Sequence, residues 1–246
     1  MKIFKQAALL VNSRLLVGVL MMTAAAAQAQ TLDAQPVFSN GDKWTYRFED
    51  TGSRKEPYLY TNQTYKIDAS SAWMYCQTQN LASVRKQYIV RFDYKSGDFK
   101  ESFEVDPANP QFPGARYSQS LTEDVAVQFP LTVGKKYNLK WNYSNGSGYT
   151  EYSVEVAGYE KVKTEAGEFD AYRIMFDGWW TNTTGGHAHG KATMTQWFAP
   201  SAKRVVKIVS ADLNSKGLAF NSATRELVKW EPTATLPAAL VTPVTQ

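Results

Sequence analysis

The sequence of 246 residues is poor in the residue types that form disulfides and metal sites. It contains one cysteine, Cys76, and two histidines, His187 and His189. One cysteine allows no intramolecular disulfide. Because free cysteine is among the most buried residue types, and Cys76 stands beside Trp73 and Tyr75, we expect a buried thiol rather than a nucleophile or an intermolecular bridge.

Catalytic motifs are also missing. The chain has no G-x-S-x-G turn, which presents the nucleophile in α/β-hydrolases. The acidic pairs Glu101 with Glu104 and Glu165 with Glu168 fall where exposed strands and turns normally carry charge. We therefore assign no catalytic residue, predict no cofactor and favour a protein that is not an enzyme.

The two histidines are the candidate metal ligands. In a strand, the spacing His187-Ala188-His189 would direct both imidazoles to one face. Glycines flank the pair, which favours a solvent-facing hairpin end. Spacing marks no third ligand, whereas catalytic zinc sites use about three protein ligands and structural sites about four. A metal site at His187 and His189 stays as the alternative to that hairpin end.

A long apolar run occurs at the beginning of the chain. Residues 1–29 start with basic residues, continue with an apolar run over 15–22 and end in Ala27-Gln28-Ala29. These are the three parts of a cleaved secretory signal, and the run is shorter than the roughly 20 residues of a spanning helix. We predict an exported protein, periplasmic or secreted, with no membrane span once the signal is removed.

The net charge of +4 belongs mostly to this leader. It holds three of the 27 basic residues and none of the 23 acidic ones, which leaves 24 basic against 23 acidic residues. No Lys/Arg cluster of the kind that follows a phosphate backbone remains. The charge pattern therefore argues against nucleic acid as a partner.

Short segments bounded by turn residues dominate the rest of the chain. The hairpin signal Asn145-Gly146 is the strongest of these turns, Gly158 predicts a bulge in a long strand, and three prolines within 106–114 predict a loop. No segment has the period of an amphipathic helix of three turns. Alternation of side chains predicts strands at 43–49, 84–93, 98–105, 135–143, 149–163, 203–210 and 223–230.

These segments predict an all-β protein with a large curved antiparallel sheet, open or partly closed as a barrel. The chain that follows the leader is of a length that fits one domain. We place that single all-β domain at residues 30–230. Residues 231–246 are rich in Thr, Pro and Ala, and they are predicted to form a flexible tail.

The pattern is clearest over residues 159–207. Gly167 closes a short polar segment, which predicts a hairpin whose loop needs a positive φ at that residue. The following strand, 169–176, carries large side chains on both faces. That pattern predicts a central strand covered on both sides.

Several phrases in this stretch match a known pattern. They are Ala166-Gly167-Glu168-Phe169-Asp170-Ala171-Tyr172-Arg173-Ile174, then Trp197-Phe198-Ala199-Pro200, then Lys203-Arg204-Val205-Val206-Lys207, with residues 41–46 and 129–135 upstream. The chain resembles a family of exported bacterial proteins of unknown function that carries such phrases, although the family's proline before Ala-Gly is Glu165 here. The resemblance implies a periplasmic type of domain on a large curved antiparallel sheet, and it implies no activity.

Aromatic residues are plentiful, with 7 Trp, 14 Tyr and 12 Phe. Most are expected to fill the core, since aromatic side chains suit strands and bury large areas. A concave sheet can also present some of them to a lipid, a glycan or another apolar ligand. Adjacent strand residues face opposite ways, so the rings of Trp179 and Trp180 are expected on opposite faces. The candidate ligand-binding residues are Trp44, Tyr46, Trp141, Tyr172, Trp179, Trp180 and Trp197.

The predicted function is non-enzymatic binding, in the cell envelope, of an apolar or amphipathic ligand such as a lipid, or of an envelope partner. Two alternatives stay open. One is a hydrolase or metal-dependent enzyme of the same compartment, because catalytic groups converge in space and not in sequence. The other is a carbohydrate-binding module.

Overall fold

The computed structural model describes residues 31–50, 55–79, 87–95, 97–106, 109–110, 112–119, 126–143, 145–184, 186, 188–237 and 240. The predicted leader, residues 1–29, lies outside these residues, as does His187. Strands make up most of the described chain, and Pro200–Ala202 forms a short 3₁₀ turn. The strands are β1 Thr31–Leu32, β2 Lys43–Asp50, β3 Lys55–Ile67, β4 Ser71–Gln79, β5 Gln87–Asp93, β6 Asp98–Val105, β7 Pro113–Gln119, β8 Leu131–Thr132, β9 Lys136–Asn142, β10 Gly148–Thr164, β11 Gly167–Asn182, β12 His189–Ala199, β13 Arg204–Leu213 and β14 Ala219–Glu231.

Twelve of the strands form one antiparallel sheet in the order β7-β6-β5-β4-β3-β2-β14-β13-β12-β11-β10-β9. Strands β1 and β8 form a separate pair. Neighbouring strands in the sheet are also neighbours in sequence, except for β2 and β14. The prediction of an all-β protein with a large curved antiparallel sheet is confirmed, and the sheet is open between β7 and β9.

The two faces of the sheet can be told apart by one row of paired side chains. Residues directly opposite each other on neighbouring strands lie on the same face. One such row crosses seven strands and consists of Tyr58, Phe48, Arg225, Ile208, Gln196, Ile174 and Val156. We call the face that carries this row the inner face and the other the outer face.

The core is rich in aromatic rings. Trp44 and Tyr46 are 0% and 1% exposed, and Trp44 stacks on Trp230 with ring centroids 4.9 Å apart. A second cluster surrounds Tyr172 and Phe176. Burial of such rings contributes most to the stability of a fold.

The thiol of Cys76 is buried as predicted, with 1% of the residue exposed. Burial raises the pKa of this thiol well above its usual value. Because the thiolate is the reactive form of cysteine, Cys76 is unsuited to act as a nucleophile.

The tip of the long hairpin of β10 and β11 contacts β14, the last strand of the sheet in sequence. The amide of Ala166 at its tip donates to the Leu227 carbonyl of β14 at 3.2 Å, and Glu165 pairs with Arg47 of β2. In the sheet, β14 lies three strands away from β11. This contact is a direct sign of strong curvature. Strand β10 has a bulge between Val156 and Gly158, as Gly158 predicted.

Three expectations for local structure are corrected. The loop predicted over 106–114 ends earlier, because Pro113 and Gly114 belong to β7, an edge strand whose first residue can be proline. Strand β4, Ser71–Gln79, was not predicted. The strand after Gly167 is covered on both sides only around Ala171 and Tyr172, since Asp170 before them is exposed and Met175 on the outer face is 44% exposed.

The segment predicted as a tail makes contacts where the structure describes it. Strand β14 extends to Glu231, and the carbonyls of Ala234 and Thr235 accept from Gln63 at 3.3 and 3.1 Å. Leu240 is 7% exposed and packs beside Tyr65. These residues lie on the sheet, while residues 238–239 and 241–246 fall outside the described chain.

Gly167 has the positive φ that its hairpin was predicted to need, +130°. A Cβ atom at this position would meet no atom within 4 Å, so backbone strain alone would oppose a larger residue. We expect Gly167→Ala to lower the free energy of unfolding by about 1 kcal/mol or more, measured by chemical denaturation. Gly158→Ala, in the same hairpin and without a positive φ, is the matched control, and an unchanged midpoint for Gly167→Ala would contradict the expectation.

Candidate functional site

A cavity of about 350 Å³ lies on the inner face, and we call it the aromatic cavity. Neighbouring rings from β2, β3, β5 and β6 form its wall because they occupy alternate positions on paired strands. Phe48 and Tyr58 have ring centroids 5.1 Å apart, and Tyr58 and Tyr60 6.2 Å. The lining residues are Phe48, Tyr58, Tyr60, Asn62, Cys76, Thr78, Tyr88, Val90, Phe99, Ser102 and Arg225.

A smaller cavity of about 130 Å³ adjoins it, and we call it the arginine cavity. The two share Phe99 and Arg225 as lining residues. Arg204 also lines the arginine cavity. The inner face thus combines a mostly apolar space with a neighbouring cationic one.

Arg204 is held among aromatic rings. It is 7% exposed, and its guanidinium carbon lies 5.0 Å from the Trp44 ring centroid, and 5.0 Å from that of Phe99. With the Asn62 amide turned so that its nitrogen donates to a backbone carbonyl, its oxygen accepts from Nη1 of Arg204 at 3.1 Å. Such cation–π contacts stabilise a guanidinium more strongly when water is excluded.

Arg225 is the second inner-face cation. Its guanidinium carbon lies 5.3 Å from the Tyr46 ring centroid, and the guanidinium donates a hydrogen bond to the Tyr60 hydroxyl oxygen. Its Nε is buried and has no hydrogen-bond partner among the described residues. Burial raises the pKa of Tyr60 to about 12, so this phenol is neutral at physiological pH and supplies no counter-charge.

A third cation near the arginine cavity is already neutralised. Lys203 Nζ donates to Asp42 Oδ2 at 2.7 Å, and the side chain of Asp42 is 0% exposed. Asp42 also accepts from the Ser39 amide at 2.7 Å and from the Thr233 amide at 3.3 Å. This ion pair of a buried carboxylate and a partly buried lysine joins the beginning of β2 to the segment after β14 and to the chain that enters β13.

Five of the seven aromatic residues predicted to bind ligand lie on the inner face. Trp44, Tyr46 and Tyr172 are fully buried core residues. Trp141 lines the arginine cavity. Trp180 is partly buried, and its Nε1 donates to the Leu213 carbonyl at 3.1 Å.

The other two, Trp179 and Trp197, lie on the outer face. Trp197 Nε1 donates to Glu160 Oε1 at 2.9 Å. Trp179 is 54% exposed, so the neighbouring rings of Trp179 and Trp180 do face opposite ways, as strand alternation predicts. The structure does not bring the seven residues together in one site.

An open cleft of about 480 Å³ lies beside Trp179, and we call it the outer cleft. Its walls include Lys140, Glu151 and Asp177. Lys140 pairs with Glu151 at 3.4 Å, and Asp177 with Lys191 at 2.7 Å. The cleft therefore offers one exposed indole surrounded by paired charges.

The predicted histidine site is only partly described. His189 is exposed and lies in β12, with its ring centroid 6.4 Å from that of Trp179. His187 lies outside the described residues. Over those residues, no three His, Cys, Asp or Glu side chains are grouped so that they could hold a metal ion.

Sequence reasoning missed most residues of the two cavities. Phe48 could have been found, because it shares the alternation of Trp44 and Tyr46 in β2. Arg204 and Arg225 gave no such signal, since a charged residue in a strand usually faces water. Their burial depends on pairing between distant strands.

The described part of the chain contains no helix long and apolar enough to cross a bilayer. No family model matches the sequence. No curated protein matches it either.

Solved structures of bacterial proteins are similar in fold. A Bacteroides fragilis protein with a YmcC-like fold is 17% identical with a TM-score of 0.45, and the match covers 82% of this chain and 99% of that one. The hypothetical lipoprotein YmcC of Escherichia coli is 12% identical with a TM-score of 0.36, over 78% and 85% of the two chains. A LolA superfamily protein of Nitrosomonas europaea is 12% identical with a TM-score of 0.30, over 85% and 94%. At these identities and TM-scores the likeness supports no statement about function.

Proposed function

We propose that this protein is a non-enzymatic binding protein of the cell envelope that holds the apolar part of a small amphipathic molecule in the aromatic cavity. The observation that carries the proposal is the cavity itself, about 350 Å³ lined by Phe48, Tyr58, Tyr60 and Tyr88. Small-molecule sites are typically apolar concavities of about 300–1,000 Å³ with a few polar groups. The volume lies near the lower end of that range, which favours a ligand with one apolar chain.

The proposal is tested with N-phenyl-1-naphthylamine, an uncharged apolar fluorophore whose emission rises when it leaves water. We expect this fluorophore to bind saturably to the protein without the predicted leader, residues 1–29. Ser102 lines the aromatic cavity, so Ser102→Trp should fill part of it and weaken binding about tenfold, a loss of about 1.4 kcal/mol. Thermal unfolding of the variant checks that the fold is retained.

Trp179→Ala is the control for this experiment, because it removes an exposed outer-face ring and leaves the cavity intact. Its affinity for the fluorophore should equal that of the unchanged protein. Absence of saturable binding would refute the proposal. Binding that survives Ser102→Trp and disappears in Trp179→Ala would move the site to the outer cleft.

A second candidate function, carbohydrate binding, is favoured by the outer cleft. An exposed indole such as Trp179, 54% exposed, can stack on an apolar sugar face, and nearby Asn138 and Asp177 can accept or donate hydrogen bonds to hydroxyl groups. A glycan array of envelope polysaccharides tests this candidate. Signals that vanish in Trp179→Ala and persist in Ser102→Trp would support it.

A further inference from the structure

Charge is unevenly distributed around the two inner-face cavities. Three basic side chains line them, Lys203, Arg204 and Arg225, and Asp98 is the acidic residue among the described lining residues. Lys203 is already paired with Asp42 at 2.7 Å. The remaining two guanidiniums face one carboxyl group, so the described lining carries an excess of positive charge.

The carboxyl group of Asp98 compensates this charge poorly. Burial raises the pKa of Asp98, against the opposing effects of the Phe99 amide, Lys100 and the two arginines. One of its oxygens, Oδ1, accepts from the Phe99 amide at 2.7 Å. A carboxyl group that is harder to ionise offers less negative charge to the guanidiniums beside it.

Arg225 has unused hydrogen-bonding capacity at the junction of the two cavities. Its Nε is buried without a partner among the described residues, although buried polar groups are nearly always hydrogen-bonded. Aromatic rings lie beside the guanidinium, with Tyr46 at 5.3 Å. Rings attract the positive charge but accept no strong hydrogen bond in the plane of the guanidinium, where the N–H groups point.

We infer that Arg225, with Arg204, binds the anionic head group of a single-chain amphiphile whose apolar chain lies in the aromatic cavity. The inference rests on the proposed function, because it adds the head group to the same site. Arg225 lines both cavities, which places a planar donor between the space for the chain and the space for the head group. A guanidinium binds carboxylate or phosphate oxygens through two parallel hydrogen bonds.

The test compares ligands that share one tail. Dodecanoate, dodecyl phosphate, dodecanol and dodecyltrimethylammonium are each titrated against N-phenyl-1-naphthylamine bound to the protein without residues 1–29. The three ionic ligands are kept below their micellar concentrations and dodecanol below its solubility limit. We expect the two anions to displace the fluorophore at concentrations about tenfold lower than the alcohol and the cation. The order of dodecanoate and dodecyl phosphate then distinguishes a carboxylate from a phosphate ligand.

The variants assign the preference to the arginines. Arg225→Gln and Arg204→Gln should each reduce the preference for anions about tenfold, measured within each variant as the ratio of the displacing concentrations of dodecanol and dodecanoate. Arg173→Gln removes the same charge from the outer face, where Arg173 pairs with Glu160 at 3.2 Å, and should leave the preference unchanged. Arg225→Lys keeps the positive charge and removes the planar guanidinium, so it should retain part of the preference for anions. It takes the place of Arg225→Gln in the comparison if Arg225→Gln does not fold.

Failure of the proposed function and failure of the head-group inference give different results. No saturable binding of the fluorophore would refute the proposed function and this inference with it. Binding of the fluorophore with equal displacement by all four ligands would refute the head-group inference alone, whether or not the arginine variants fold. Loss of the preference in Arg173→Gln would overturn it as well, because the effect would then come from overall charge.

Discussion

Replacing Trp44 with alanine is expected to lower the free energy of unfolding by about 4 kcal/mol, in the range of about 3–5 kcal/mol for large aromatic residues in cores. The side chain is 0% exposed and stacks on Trp230. Its Nε1 donates to the Ala202 carbonyl at 2.8 Å, so truncation also leaves that buried carbonyl without its donor. Equilibrium denaturation in urea measures the loss.

Trp179→Ala is the matched control for Trp44→Ala, because it removes the same ring from an exposed position. Surface substitutions usually change stability by less than about 0.5 kcal/mol. A loss below about 1 kcal/mol for Trp44→Ala would contradict the packing described around β2.

Replacing Asp42 with alanine is the second large expected effect, a loss of about 3 kcal/mol or more. The substitution leaves Lys203 without its partner and the amides of Ser39 and Thr233 without their acceptor. Breaking a fully buried ion pair by removing one partner costs about 3–5 kcal/mol. Lys203 is 23% exposed, so its unpaired charge contributes part of the loss and the two amides without an acceptor contribute the rest. Thermal and urea unfolding at neutral pH measure the change.

The double variant Asp42→Ala with Lys203→Met separates the charge from the packing. It should recover part of the stability lost in Asp42→Ala, since no unpaired charge then remains at the partly buried position of Lys203. Asp177→Ala is the control at an exposed ion pair, where Lys191 lies 2.7 Å away, and such pairs are worth about 0–1 kcal/mol. Equal losses for Asp42→Ala and Asp177→Ala would show that burial of Asp42 contributes nothing.

Most strands could be predicted because alternation and turn residues are local signals. The predicted strand at 98–105 has the same bounds as β6, and the predicted strand at 149–163 lies within β10. Strand β4 was missed because Met74, Cys76 and Thr78 alternate with Trp73, Tyr75 and Gln77. The aromatic residues of β4 lie on the less buried face, opposite the buried Met74, Cys76 and Thr78. Both faces therefore carry large or apolar side chains, and the sequence shows no alternation of apolar and polar residues.

The candidate site was less predictable than the fold. Trp44, Tyr46 and Tyr172 were proposed as ligand contacts, and the structure places them in the buried core. Large rings are equally suited to a core and to a cavity wall, and the sequence does not record how much space remains beside each ring. The cationic character of the inner face depends on β14 pairing with β2, which also brings β13 within one strand of β2. That pairing joins distant parts of the chain.

The pairing of β2 with β14 has a kinetic consequence. Every other pairing in the large sheet joins strands that are consecutive in sequence, so hairpins can form early, whereas this one must close a loop from Trp44 to Trp230. Loop-closure entropy delays contacts of such long sequence separation. Arg225 on β14 meets Phe48 on β2 across that pairing, so the proposed binding site is complete only after this late contact forms. A ligand can therefore select the finished fold and cannot guide its early steps.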